Sequence, residues 1–85
     1  MHAEFVVKSC FNSPGLGVLV SGEIMDGNIE EGAQGKTPAG KLVTIVRMDI
    51  QGVKVKTARI KEKVNIVLKG VAISDVNPGM NINFF

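Results

Sequence analysis

Two short stretches contain residue types used in nucleotide binding, but neither has the spacing that this chemistry requires. Gly35-Lys36-Thr37 resembles the end of a phosphate-binding loop, which needs another glycine five positions before Gly35. Glu30 occupies that position, and its carboxylate would repel a phosphate. Gly15-Leu16-Gly17 is followed by no helical pattern, so it does not complete a dinucleotide site. We therefore predict no nucleotide-binding loop.

The metal-ligating and nucleophilic residues are too few for a catalytic centre. The chain has one histidine, His2, and one cysteine, Cys10, which cannot make a tetrahedral metal site. A cysteine nucleophile needs a nearby base, so we expect Cys10 to be an inert strand residue. Glu30 and Glu31 are adjacent, and neighbours on a strand point to opposite faces. We predict a protein that is not an enzyme, with no catalytic residue, metal or cofactor.

The remaining candidate chemistry is electrostatic. The net charge is only +2, but Met1–Gly35 has one base against five acids, and Lys36–Phe85 has nine bases against three acids. This asymmetry predicts one acidic and one basic face; the alternative is charge spread evenly around a small fold. Contacts to nucleic-acid phosphates need lysine and arginine. The candidate RNA-contact residues are therefore Arg47, Lys54, Lys56, Arg59 and Lys61.

The spacing of these cations depends on a hairpin. Gln51-Gly52 is a plausible two-residue turn, which would put Lys54 and Lys56 on one face and Arg47 on the partner strand. The sequence has no Trp or Tyr, so only its four phenylalanines could stack on bases. We expect Phe5 and Phe11, in the first strand, to belong to the core instead.

The elements that must position these residues are short strands. Apolar residues alternate with polar ones, no window has a helical stripe, and Gly32–Gly40 is loop-like. Phe5, Val7, Ser9 and Phe11 are expected on one face of the first strand. One face of a later strand is expected to carry Leu42, Thr44, Val46, Met48 and Ile50. The predicted strands are Glu4–Phe11, Gly17–Ile24, a segment around Ile29, Lys41–Ile50, Val53–Thr57, Val64–Lys69 and Met80–Phe85.

These strands predict an all-β fold: a small, closed, antiparallel β-barrel of six or seven strands, occupying residues 1–85 as one domain. A closed barrel is favoured over a sandwich because closure removes exposed sheet edges. No apolar run approaches the roughly 20 residues of a membrane span, and Met1–Lys8 has no signal-peptide pattern. A single cysteine fits a reducing compartment, so we expect a cytoplasmic protein without a membrane partner.

Several stretches occur in a familiar order. They are Phe5-x-Val7, Phe11–Ile24, Gly27–Gly32, Val46-Arg47-Met48 followed by Gly52, Val64–Val71 and Asp75–Met80. This order resembles the second domain of translational GTPases, of which elongation factor Tu and initiation factor two are the best-known members. The resemblance covers nearly the whole chain and implies a translation-factor β-barrel of the elongation factor Tu domain 2 type.

The resemblance also implies partners: ribosomal RNA or tRNA-containing complexes, and a GTPase in trans. Phe11 fits the family's tRNA pocket, but three other positions depart from it. Leu16 and Glu23 stand where basic residues are usual, and Arg47 stands where an acidic one is usual. These departures argue against aminoacyl-tRNA recognition of the standard kind.

Two functions remain open at this point. The first is a non-catalytic adaptor that binds RNA or the ribosome. The second is a protein–protein interaction barrel that docks on a GTPase, on another chain or on itself, suggested by the apolar end Met80–Phe85. The sequence is compatible with a complete small protein and with a piece of a longer factor.

Overall fold

The structure is a computed structural model that describes residues 2–85; Met1, the first residue of the predicted domain, lies outside the described residues. Within this range the chain forms nine strands and one turn of 3-10 helix. The strands are β1 Ala3–Ser13, β2 Gly17–Asp26, β3 Ile29–Glu30, β4 Gln34–Lys36, β5 Leu42–Ile50, β6 Val53–Val55, β7 Thr57–Ala58, β8 Lys63–Lys69 and β9 Asn81–Phe84. The 3-10 turn is Ile73–Asp75.

Six of these strands close into a barrel. They follow the order β4-β9-β1-β2-β8-β5, and β5 pairs back onto β4, with every pairing antiparallel. β6 is an additional strand on β5, and β3 pairs with β7 in a separate two-stranded ribbon. The predicted closed antiparallel barrel is therefore confirmed. Within residues 2–85, no helix is long and apolar enough to cross a bilayer.

The barrel interior contains the residues that alternation places on one face of each strand. In β8, Val64, Ile66 and Leu68 are buried as predicted, and in β9 Ile82 and Phe84 are buried. Every second side chain of a strand points to the same face, so three residues of β8 fill one side of the core.

A β-bulge in β1 overturns part of the predicted face. Val7 pairs with Gly22 and Ser9 pairs with Ser21, which leaves Lys8 as an extra residue in β1. An extra residue reverses the alternation after it. Phe5 and Val7 are buried as expected, but Phe11 is 58% exposed, so its assignment to the core is wrong.

A second bulge has the same effect in β5. Ile45 pairs with Leu68 and Arg47 pairs with Val67, so Val46 is the extra residue. The inward face therefore changes along the strand: Val43 and Ile45 are buried before the bulge, and Met48 is buried after it. The predicted single face holds only for Met48 and Ile50, while Leu42 is exposed.

β4 lies inside the segment Gly32–Gly40, which was predicted to be a loop. It pairs with β5 on one side and β9 on the other and so closes the barrel. Its sequence, Gln34-Gly35-Lys36, has no apolar alternation. The strand forms because backbone pairing on both sides holds it in place. A Cβ on Gly35 would lie 2.6 Å from the carbonyl oxygen of Asn83 and 2.7 Å from Cδ1 of Phe84. Only glycine fits this position without a shift of the neighbouring backbone.

Candidate nucleic-acid interface

The β5–β6 hairpin positions three of the five candidate cations. Gln51 and Gly52 have φ values of 52° and 81°, as a two-residue type I′ turn requires, and Ile50 pairs with Val53. The predicted hairpin is therefore confirmed. Met48 points inward, so its neighbour Arg47 points outward, and Lys54 lies on the same outer face because it pairs with Asp49.

Lys56 extends this arrangement. It follows the last paired residue of β6, Val55, and the pairing register places it opposite Arg47. Arg47, Lys54 and Lys56 are all exposed. The structure thus brings these three cations to one end of the outer barrel face.

A row of apolar residues leads across the barrel to Arg47. Phe11 pairs with Leu19, Leu19 pairs with Val67, and Val67 pairs with Arg47, on strands β1, β2, β8 and β5. Cβ atoms of directly opposed residues lie about 4.5–5.5 Å apart, so these side chains are neighbours. We call Phe11, Leu19 and Val67 the apolar row; it ends beside Arg47.

Exposure differs along the apolar row. Phe11 is 58% exposed, whereas Val67 is only 5% exposed although it faces outward. The alternation pattern did not identify Leu19 and Val67 as outward-facing residues. The available signal was the uninterrupted run Ile66-Val67-Leu68, which is typical of a strand covered on both faces.

A polar row runs beside the apolar row. Ser9, Ser21, Asn65, Asp49 and Lys54 are successive cross-strand partners. The Ser21 hydroxyl donates to Oδ1 of Asn65, and Nδ2 of Asn65 donates to Oδ1 of Asp49 over 2.8 Å. The carboxylate of Asp49 therefore lies opposite Lys54 and reduces the positive potential at this point of the hairpin.

The other two candidates lie in the turn between β7 and β8. Arg59 lines a small cleft of about 190 Å³ with Asn28, Glu30 and Thr57. Its backbone N–H donates to Oε1 of Glu62 over 2.6 Å.

Lys61 belongs to a second feature next to this turn. Its φ of 72° is left-handed, and its N–H donates to the carbonyl of Ile24 over 2.7 Å. Lys61 lines an open groove of about 580 Å³ with two further lysines, Lys8 and Lys63, and two glutamates, Glu23 and Glu62. Arg59 and Lys61 therefore line separate depressions, each with at least one carboxylate.

Charges from the two halves of the sequence are interleaved in the fold. Glu23 pairs with Lys63, and the N–H of Glu31 donates to the carbonyl of Lys56 over 2.8 Å. Strand pairing therefore brings acids of the first half beside bases of the second half. The predicted division into one acidic and one basic face does not hold at these strands.

One ion pair lies away from the candidate cations. Nζ of Lys41 is 3.3 Å from the Asp75 carboxylate, which also accepts the Ala72 N–H over 2.8 Å. The Ala72 hydrogen bond is the main cause that lowers the pKa of Asp75, and Lys41 lowers it further against partial desolvation. This contact anchors the loop before β5 to the 3-10 turn.

The motifs tested for other chemistry lie in regular structure. Gly35 and Lys36 belong to β4, so the phosphate-loop resemblance has no loop and no following helix behind it. Cys10 is half-buried, and its thiol donates to the carbonyl of Val76 over 3.6 Å. Among residues 2–85, no three His, Cys, Asp or Glu side chains form a group that could hold a metal ion.

Solved structures of two elongation factors contain a similar barrel. A bacterial selenocysteine-specific elongation factor, EF-Sec, is 28% identical, with a TM-score of 0.86 over 94% of this chain. The apo form of elongation factor SelB from Methanococcus maripaludis is 19% identical, with a TM-score of 0.90 over 98% of this chain. The chain spans 14% of the first factor and 18% of the second. The likeness to a translation-factor barrel of the elongation factor Tu domain 2 type is confirmed.

No protein-family model and no curated protein matches the sequence.

Proposed function

We propose that this barrel is a non-catalytic, translation-factor-type adaptor that binds RNA through the outer face of β5 and β6. The observation that carries the proposal is the apolar row with Lys54 and Lys56 beside its Arg47 end. The solved neighbours are elongation factors, which supports ribosomal or tRNA-containing complexes in the cytoplasm as the setting.

The apolar row and the cations would make complementary contacts. Bases stack on exposed aromatic rings whatever their sequence, and Phe11 is the exposed ring of the row. Lysine and arginine side chains neutralise phosphates and release counterions, which makes the affinity fall as salt rises. A single-stranded or looped RNA presents both groups, because its bases are unstacked and its phosphates are accessible.

The experiment compares charge reversal of exposed lysines at the two opposite ends of β5. The double charge reversal Lys54→Glu/Lys56→Glu should weaken binding of ribosomal RNA fragments and reduce the slope of log affinity against log salt by about 1–2. Lys36→Glu, on β4, is the control, because Lys36 is exposed but lies away from the β5–β6 hairpin. Equal effects of the two changes would contradict a defined RNA face.

Asp49→Asn tests the same face from the opposite direction. Asp49 lies opposite Lys54, and asparagine keeps an oxygen that can accept the Asn65 hydrogen bond. Removing this negative charge should strengthen RNA binding several-fold at low salt, with a smaller gain at high salt. Unchanged RNA affinity in anisotropy titrations would remove Lys54 from the proposed contact.

A further inference from the structure

Asp49 is a half-buried carboxylate on the outer face, next to the cations proposed to bind RNA. It lies opposite Lys54 on one side and opposite Asn65 on the other. Within residues 2–85 the ion pairs are confined to Lys41 and Asp75, so Asp49 forms none with Lys54. A carboxylate repels phosphates. If Asp49 takes part in RNA binding, its partner must therefore be a hydrogen-bond donor.

Hydrogen bonds fix the orientation of the side chains around Asp49. A carboxylate only accepts hydrogen bonds, so Nδ2 of the Asn65 amide must face Oδ1 of Asp49, which lies 2.8 Å away. Oδ1 of Asn65 then faces Ser21, whose hydroxyl donates to it. The hydrogen bonds thus run in one direction from Ser21 to Asp49. They hold the carboxylate in place before any ligand binds.

This network leaves a defined set of groups free. Nδ2 of Asn65 has a second N–H, and Oδ1 of Asp49 keeps a lone pair beside its bond to Asn65. Within residues 2–85 the other carboxylate oxygen of Asp49, Oδ2, accepts no hydrogen bond. From Asn65 to Asp49 the polar row therefore offers one donor followed by two acceptors.

The free groups lie beside the place where a base can stack. Asn65 and Val67 are two residues apart on β8, and Asp49 and Arg47 are two residues apart on β5. Each pair therefore lies on the same face, about 7 Å apart. Bases stack on apolar side chains and on arginine guanidinium planes. A base between Leu19 and Arg47, above Val67, turns one edge toward Asn65 and Asp49.

We propose that this donor and these two acceptors recognise guanine, an inference that rests on the proposed RNA binding. The Watson–Crick edge of guanine presents, in order, the O6 acceptor, the N1–H donor and the N2 amino donor. O6 accepts the free N–H of Asn65, and the two donors bind the Asp49 carboxylate side by side. Guanine is the one base of the four with two adjacent donors on this edge.

The other bases leave part of this set unpaired or opposed. Uracil has a carbonyl oxygen on each side of N3–H, so one of them would face the Asp49 carboxylate. Adenine and cytosine each place an amino donor beside a ring acceptor, which satisfies only one of the two acceptors. Polar groups left without a partner at a binding site cost affinity. The cations thus supply affinity, and Asp49 supplies the preference among bases.

Fluorescence anisotropy with three uridine heptamers tests this preference. Each carries one central guanosine, inosine or adenosine, so length and phosphate number are equal. Inosine is guanosine without the N2 amino group, so these two oligomers differ in that one group. The native chain should bind the guanosine oligomer at least about fivefold more tightly than the inosine oligomer. Equal affinities would overturn the inference.

Asp49→Asn assigns the preference to its residue. Asparagine keeps one acceptor but cannot accept two adjacent donors side by side, so the guanosine-to-inosine affinity ratio should fall close to one. The inosine oligomer should gain affinity because a phosphate-repelling charge is lost, and the guanosine oligomer should gain less. The matched control is Asp75→Asn, which removes the same charge at the Lys41 ion pair and should keep the native ratio. A native ratio in Asp49→Asn would overturn the inference.

The readouts separate this inference from the proposed function. Lys56→Glu should weaken binding of all three oligomers and leave the guanosine-to-inosine ratio unchanged, because it removes a phosphate contact and no base contact. Salt-dependent binding of the guanosine and inosine oligomers with equal affinity overturns guanine recognition and leaves RNA binding intact. No binding of any oligomer at low salt overturns both.

Discussion

β4 and β6 are both three-residue strands that pair with the same edge of β5, but they differ in their other side. β4 pairs with the first part of β5 and also with β9, which closes the barrel. β6 pairs with the last part of β5, and no strand among residues 2–85 pairs with its other side. The same edge thus contributes to the closed core at one end and to an exposed hairpin at the other.

This difference determines which residues each strand accepts. Gly35 of β4 faces Phe84 and the backbone of β9 so closely that a side chain does not fit. β6 has Val53 and Lys54 exposed, and its packing places few limits on them. The closed end is therefore expected to control stability, and the open end is expected to control binding.

The largest effect is expected from Gly35→Val. The new side chain would collide with the Asn83 carbonyl and the Phe84 ring, so β4 must separate from β9. We expect at least about 3 kcal/mol of lost stability, which a small domain cannot easily tolerate. Denaturant unfolding followed by circular dichroism measures it. Native-like stability would show that closure through β4 is dispensable.

The next effect compares an apolar side chain inside the closed barrel, on β9, with an exposed one on β6. Phe84→Ala removes a buried ring and should cost about 3–5 kcal/mol of unfolding free energy. Val53→Ala, at a side chain 65% exposed, should change it by less than about 0.5 kcal/mol. Urea unfolding of both variants tests the contrast, and similar losses would refute it.

A smaller, stabilising effect is expected in the β5–β6 turn. Gln51 has a left-handed φ of 52°, a conformation that asparagine adopts more readily than glutamine. Gln51→Asn should raise the unfolding free energy by a few tenths of a kcal/mol, roughly up to 0.5, without changing RNA affinity. Gln51→Val is the opposing control, because a β-branched residue is strained there. A destabilising Gln51→Asn would contradict the assigned turn.

The smallest effect concerns the loop that joins β4 to β5. The folded-state pKa of Asp75 is lowered chiefly by the Ala72 hydrogen bond and then by Lys41. A lowered folded pKa stabilises the protein above the unfolded pKa of Asp, and this stability is lost as pH falls through the folded value. The melting temperature of Asp75→Asn should therefore lie slightly below that of the native chain at neutral pH. The two should converge in acid, and a constant difference across pH would contradict the assignment.

Strands with uninterrupted alternation could be predicted from the sequence, because side-chain period alone fixes their faces. Ile66 and Ile82 are examples. The bulges could not be predicted, since Val46 fits the apolar face predicted for its strand and Lys8 interrupts no pattern. β4 was also hidden, because its pairing partners hold it and its own residues have weak strand propensity.

The candidate site was predictable only in part for the same reason. The Gln51-Gly52 turn identified the face shared by Arg47, Lys54 and Lys56. Phe11 became a surface residue through the Lys8 bulge, and Arg47 became the partner of Val67 through the Val46 bulge. Both depend on a register that only strand pairing reveals.

The most direct test of the RNA-facing role is association of the purified chain with small ribosomal subunits from about 50 to about 200 mM salt, the range over which phosphate contacts weaken steeply. We expect tight association at low salt and a linear fall of log affinity with log salt, with a slope that matches two to three phosphate contacts, roughly −2. No association at the lowest salt would contradict RNA binding through the β5–β6 face, while the barrel fold would stand.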